Sequence, residues 1–251
     1  MRGDACLGAG RGDRAGDCLR PGGLELTDRV VDLARLPRGA RVLDVGCGSG
    51  VTVAHLAGTR GLRATGLDAS AAQIGRARAA WPDLDLVEGR AEELPFEAGS
   101  FDAVLAECVL STLAEPGLAL REMSRVLSVR GCAILTDLYD RGGDGAPRPG
   151  LPSLGRREAV EALLAGAGLG IETWEDHTGV LAQLFWDMAA SAAPTGAAAR
   201  PLAHTPPPLA GAAPRPRPRR RLGYFACVAR ARSGELRDDE RSDHEPERSV
   251  T

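Results

Sequence analysis

The segment Val42-Leu43-Asp44-Val45-Gly46-Cys47-Gly48-Ser49-Gly50 constrains this 251-residue chain more than any other. A short apolar run carrying one carboxylate meets Gly-x-Gly-x-Gly. That is the pattern of a buried strand entering a loop whose backbone must come very close to a ligand. Eighteen residues after Gly50, Asp68 closes a second run, Ala64-Thr65-Gly66-Leu67. An acidic residue at the tip of the second strand is how a doubly wound α/β domain holds a ribose. The glycine spacing argues against a dinucleotide, whose fingerprint is Gly-x-Gly-x-x-Gly with a helix N-terminus facing the pyrophosphate. Here the third glycine comes one residue early and Val51 stands where the dinucleotide glycine would be.

Composition excludes several other chemistries. All 31 basic residues are Arg; Lys and Asn are absent. Without Lys there is no Walker A phosphate loop, no Schiff base and no Tyr-x-x-x-Lys reductase site. Together with the abundant Ala, Gly and Pro, the Arg bias points to a GC-rich genome rather than to a functional surface. The net charge of −3 gives no reason to expect a nucleic-acid partner. Arg215 to Arg221 is basic, but short, Pro-interrupted and without interleaved aromatics, so it reads as a linker. Six cysteines (Cys6, Cys18, Cys47, Cys108, Cys132 and Cys227) contain no Cys-x-x-Cys, so neither a disulfide framework nor a metal site is expected. The first residues hold no apolar stretch of signal-peptide length, and no run of 18 apolar residues exists. A cytoplasmic protein without membrane contact is the expectation.

Strand and helix patterns alternate along the chain. After a flexible leader at 1–17, Leu19–Gly23 reads as a turn and Asp28–Ala34 as a helix. Strands follow at 41–45, 63–68, 84–88, 101–108 and 132–138. Helices fall at 51–57, from the N-cap Ser70 to Pro82, and from Pro116 to Leu127, with Gly131 breaking the chain before the fifth strand. A helix at 156–166, a strand at 170–175 and an amphipathic helix at 180–191 come next. Residues 192–221 are Ala/Pro/Arg-rich and unsuited to packing. Tyr224–Ala229 is a final strand, and the charged tail from residue 232 onward is expected to be disordered. One domain over 18–231 results.

Several motifs stand in order. Val42–Gly50 resembles motif I of class I S-adenosylmethionine (SAM) methyltransferases. Gly66–Ser70 resembles the acidic strand end that follows it. Gly89–Phe96, Ser100–Val104 and Arg125-Val126-Leu127-x-x-x-Gly131 are similar to the type-11, UbiE-like branch. The resemblance is close over 41–138. It implies a Rossmann-like, doubly wound seven-stranded sheet with the last strand antiparallel. It also implies SAM as cofactor and a small-molecule methyl acceptor as partner. Carried over by position, Asp44, Gly46, Cys47, Gly48 and Gly50 would hold the methionine and ribose moieties, with Asp44 attracting the ammonium. Asp68 and Ala69 would flank the ribose; Ala91, Glu92 and Glu107 complete the cofactor set. One position departs from the pattern: Arg90 stands where relatives carry the Asp that accepts the adenine amino group. Ala91 backbone groups or Glu92 would have to substitute.

Methyl transfer from a sulfonium is an in-line displacement, so alignment and water exclusion can suffice without a catalytic side chain. The candidates at the strand ends are Glu107 and Tyr139, with Cys108, Ser111 and Asp137 beside them. His55 reads as structural and His177 as a surface residue. Leu184, Phe185 and Trp186 either cap the acceptor or pack as core. Leu19–Thr27 either folds over the cofactor as a lid or is the turn before a helix. Two further functions stay open: thiol or arsenite methylation through Cys18, Cys47 and Cys108, and cofactor binding without methylation.

Overall fold

The computed structural model describes residues 20–142, 153–191 and 222–231. Seven strands, β1 (Arg41–Val45), β2 (Arg63–Asp68), β3 (Asp85–Glu88), β4 (Phe101–Glu107), β5 (Leu127–Asp140), β6 (Leu169–Asp176) and β7 (Leu222–Ala231), form one sheet. Their order is β3-β2-β1-β4-β5-β7-β6. β1 to β5 pair in parallel, whereas β7 runs antiparallel to both β5 and β6, one place in from the edge. This is the seven-stranded α/β sheet with an antiparallel last strand that the sequence implies.

Among the described residues six helices cover the sheet: α1 (Gly23–Ala34), α2 (Val51–Gly58), α3 (Ala71–Ala80), α4 (Pro116–Val126), α5 (Arg157–Ala165) and α6 (Thr178–Ser191). Val30, Val53, Leu56, Ile74 and Leu181 bring α1, α2, α3 and α6 onto the sheet face that carries Val42, Leu105, Ile134 and Tyr224. Leu120, Met123, Val160 and Leu164 bring α4 and α5 onto the face with Leu43, Val104, Leu135 and Phe225. Burial on both faces is why the central strands read as unbroken apolar runs. The chain leaves β1 in one direction, toward β2, and returns on its other side with β4. The C-terminal ends of β1 and β4 therefore flank a topological switch point, where open α/β sheets bind ligands.

Two boundaries differ from expectation. α1 begins at Gly23 rather than near Asp28, because Gly22 takes a left-handed φ of 79° and turns the chain into the helix early. β5 begins at Leu127, directly at the end of α4, instead of after Gly131. Its pairing jumps from Phe101↔Leu127 to Ala103↔Cys132, so the intervening residues form an irregularity inside the strand. A Cβ on Gly131 would lie 3.2 Å from the Asp102 carbonyl oxygen, so the glycine permits that close passage and does not end the element. The expectations for 1–17, 192–221 and 232–251, and those for Cys6 and Cys18, concern residues outside the described ones. No helix among the described residues is long and apolar enough to cross a membrane.

Candidate functional site

The loop between β1 and α2 is held by the end of β2. Gly46 and Cys47 N–H both donate to the Leu67 carbonyl, at 2.7 and 3.0 Å. A Cβ at Gly46 would collide with Val109, so only glycine lets the loop leave β1 here. Gly48 has φ +52°, and a Cβ there would meet nothing within 4 Å, so the loop turns an open backbone edge outward. Gly50 is the N-cap of α2. Cys47 is buried, close enough that a Cβ on Gly66 would lie 2.9 Å from its Sγ. Burial, then the Asp44 and Asp68 charges, push its thiol up.

Asp68 sits where the sequence places it, at the tip of β2. One carboxylate oxygen accepts the Gly48 N–H at 2.9 Å and the other accepts the Ser70 N–H at 2.8 Å. Two backbone donors thus fix the carboxylate beside the open edge of the glycine loop. Ala69, which links it to the N-cap Ser70, is exposed. Asp44 is 3% exposed at the tip of β1. Desolvation holds its carboxyl well above the usual range, with the Glu107 and Asp68 charges adding to this and Arg20 opposing it.

Glu107 ends β4, one residue past the register pair Val45↔Ala106, and so adjoins the glycine loop. Its carboxylate is 2.9 Å from the Arg20 guanidinium, with side chains 4% and 13% exposed. It also accepts from the Thr27 hydroxyl at 3.0 Å and the Thr52 hydroxyl at 3.5 Å. Burial raises its pKa, and Arg20 and the two hydroxyls oppose that rise. Arg20 donates to Thr27 as well. Arg20, Thr27 and Thr52 were not read from sequence as partners of Glu107. The available signal was a charged residue at the tip of a strand buried on both faces, which requires a partner.

Tyr139 is not brought together with Glu107. It lies on the opposite sheet face, against Trp174 and Phe225, and donates to Asp176 at 2.8 Å. Asp137 accepts the Ser111 N–H at 2.9 Å and so anchors the short 3₁₀ turn Leu110–Thr112. Cys108 has a left-handed φ of 58° and its Sγ lies 3.1 Å from the Tyr224 hydroxyl, which donates to Thr136 at 2.8 Å. Burial pushes the Cys108 thiol up to about 11. His55 pairs with Asp28 at 2.8 Å and ties α2 to α1, while His177 lies 2.9 Å from Glu175. Leu184 is half-buried and Trp186 is 73% exposed. At the far rim, Ala91 is buried, and Arg90 turns outward, 69% exposed, to pair with Glu92 at 3.2 Å. Among the described residues no group of three or more His, Cys, Asp or Glu side chains could hold a metal ion.

Residues 43–135 match the methyltransferase domain family, in its type-11 form. That segment is similar to a class I methyltransferase domain of the UbiE-like branch. The domain is 33% identical over 100 residues to demethylmenaquinone methyltransferase of Chlorobaculum tepidum, a match covering 40% of this chain and 41% of that protein. It is 35% identical over 123 residues to malonyl-[acyl-carrier protein] O-methyltransferase of Legionella pneumophila, covering 46% and 42%. The chain thus spans less than half the length of these curated relatives. Among solved structures, the [4+2]-cyclase SpnF is similar with a TM-score of 0.63 and 27% identity, over 82% of this chain and 80% of that one.

SAM is the cofactor that this similarity implies. The site's residues fit it on three counts. The backbone edge at Gly48 is open, and the Asp68 carboxylate is aimed beside it. The charges of Glu107 and Asp68 act together on the Asp44 carboxyl, with Arg20, paired to Glu107, opposing them, and that gathering of acidic groups suits a ligand with a net positive charge.

Proposed function

We propose that this protein transfers the methyl group of SAM to a small-molecule acceptor. The observation that carries the reading is Asp68, held by the Gly48 and Ser70 N–H groups at the open edge of a glycine loop, at the switch point of the sheet. When bound, SAM supplies an electrophilic methyl group. Asp68 accepts the two ribose hydroxyls, bonds worth about 1.5–3 kcal/mol each when charge-assisted. Gly46 and Gly48 let the loop reach the methionine and ribose, and Asp44 draws the positive end inward. The chain's remaining task is to align an acceptor and exclude water. The small-molecule nature of the acceptor is supported by the names of the curated relatives.

Two other readings are weaker. The similar structure named a [4+2]-cyclase supports a fold of this kind serving a reaction other than methyl transfer, and so a site that binds SAM without transferring its methyl group. Acceptor activation by cysteine gains nothing from Cys47 and Cys108, because burial raises both thiols and removes the thiolate that such chemistry needs.

Calorimetric titration of SAM and S-adenosylhomocysteine tests the reading, with methyl-labelled SAM offered alongside a metabolite pool. Micromolar binding that weakens by more than about 100-fold in Asp68→Ala is expected, as two lost charge-assisted bonds require. Absence of binding to folded wild type refutes it. Binding without label transfer moves the assignment to the non-methylating reading.

A further inference from the structure

We propose that the arginine rim at the N-terminal ends of the parallel strands is the docking surface for the acidic run Asp238-Asp239-Glu240 of the chain's own C-terminal segment. The rim lies at the opposite end of the sheet from the glycine loop, so the proposal is independent of the SAM reading. Arg41 opens β1 and Arg63 opens β2, and the two are register partners. Arg38 stands nearby, where a Cβ on Gly61 would lie 2.7 Å from its guanidinium. Arg230, near the end of β7, donates to the carbonyls of Arg130 and Ala34 at 3.1 and 2.9 Å. It so gathers Arg130 and Arg35, the C-cap of α1, to the same end of the sheet.

Two of these six cations are neutralised, Arg41 by Asp102 and Arg230 by Glu172. Arg35, Arg38, Arg63 and Arg130 are exposed and have no ion-pair partner among the described residues. The whole chain nevertheless has a net charge of −3, so the balancing anions lie elsewhere. Residues 232–251 hold seven acidic residues against four Arg, with three acids in succession at 238–240.

Connectivity delivers this segment to the rim. β7 runs antiparallel, so its last residue, Ala231, leaves the sheet at the end where the parallel strands begin. In the sheet order β2 lies four places from β7, or about 19 Å at the usual strand spacing. The seven residues from Ala231 to Asp238 span up to about 23 Å. The acidic run therefore reaches every arginine of the rim, Arg63 included. Tethering presents it there at an effective concentration of order mM, which a free polyanion must outcompete. The rim is thus covered by its own chain and closed to nucleic acid and other polyanions.

The test is phenylglyoxal footprinting of arginines in the full chain, read residue by residue by mass spectrometry. At low salt Arg38 and Arg63 should react about 3–10-fold more slowly in wild type than in the D238N/D239N/E240Q variant, whose changes leave the sheet untouched. Salt at about 1 M should erase the difference, because the Debye length falls to ~3 Å. Arg121, exposed on α4, should react alike in both proteins. Heparin, as a polyanion probe, should bind the variant at least about 5-fold more tightly than wild type, and Arg38→Gln/Arg63→Gln should remove that gain. Equal reactivity of Arg38 and Arg63 in wild type and variant overturns the proposal. Protection that grows with protein concentration overturns it too, and assigns the rim to the tail of a second copy. Heparin binding as tight in wild type as in the variant also overturns it, and makes the rim a site for an external polyanion.

Discussion

Asp44 shows how one residue can trade stability for a site. Its carboxyl is buried at the tip of β1, near the Glu107 and Asp68 charges, and its pKa is raised well above 3.8. In the window above 3.8 the folded protein therefore holds a proton that the unfolded chain has released. Stability contributed by the protonated carboxyl is complete below the unfolded pKa and is lost as pH rises through the folded one. At neutral pH the charge is a cost. Asp44→Asn should raise stability at pH 7 by about 1–2 kcal/mol, or about 2–8 °C in Tm, and flatten the decline with rising pH. The same variant should bind SAM more weakly. Denaturant melts across pH 4–8 check the first expectation and calorimetry the second. An Asn variant less stable than wild type at every pH would mean that the carboxylate stabilises the fold.

Among the elements, β7 joins the sheet to the site. It is inserted between β5 and β6, and its Tyr224 is fully buried. The Tyr224 hydroxyl donates to Thr136 on β5 and lies against Cys108, whose left-handed φ ends β4. This chain of polar contacts links β7, β5 and the end of β4. Tyr224→Phe keeps the ring and removes the hydroxyl, leaving the buried Thr136 hydroxyl without that partner. The expected cost is about 1–2 kcal/mol, read by urea denaturation with an unchanged m-value. A cost near zero would show that the Thr136 hydroxyl finds another donor.

At the scale of the whole molecule, the site is assembled from remote segments of one continuous sheet. α1 supplies Thr27, β1 Asp44, α2 Thr52, β2 Asp68 and β4 Glu107, so ligand binding should report on global unfolding. S-adenosylhomocysteine at one hundred times its Kd should stabilise the fold by about 2.7 kcal/mol, seen as one transition moving up by about 5–10 °C. Asp68→Ala should show no such shift at the same concentration. A biphasic melt in which one phase ignores the ligand would show that part of the sheet unfolds independently.

Local order was legible where a residue's role is local. The strand–glycine–helix joint at Val42–Gly50, the strand-tip carboxylate Asp68 and the N-cap Ser70 follow from backbone geometry and short-range hydrogen bonding, which spacing encodes. The strand β7 was legible because its apolar run stands alone among polar segments, whereas its antiparallel direction followed only from the family resemblance. The partners of Glu107 were not, since Arg20 and Thr27 reach it across 87 and 80 residues of sequence. No periodicity encodes such a separation. The placement of Tyr139 on the face away from Glu107 depends on alternation along β5, and the irregularity near Gly131 made that register unreadable from the chain. Sequence by itself determined the sheet's strands, the glycine loop and the acidic strand tip, because those rest on local sterics and burial. Only tertiary structure decided which distant charges meet, because a buried carboxylate takes its partner from whatever the topology brings within a few ångströms.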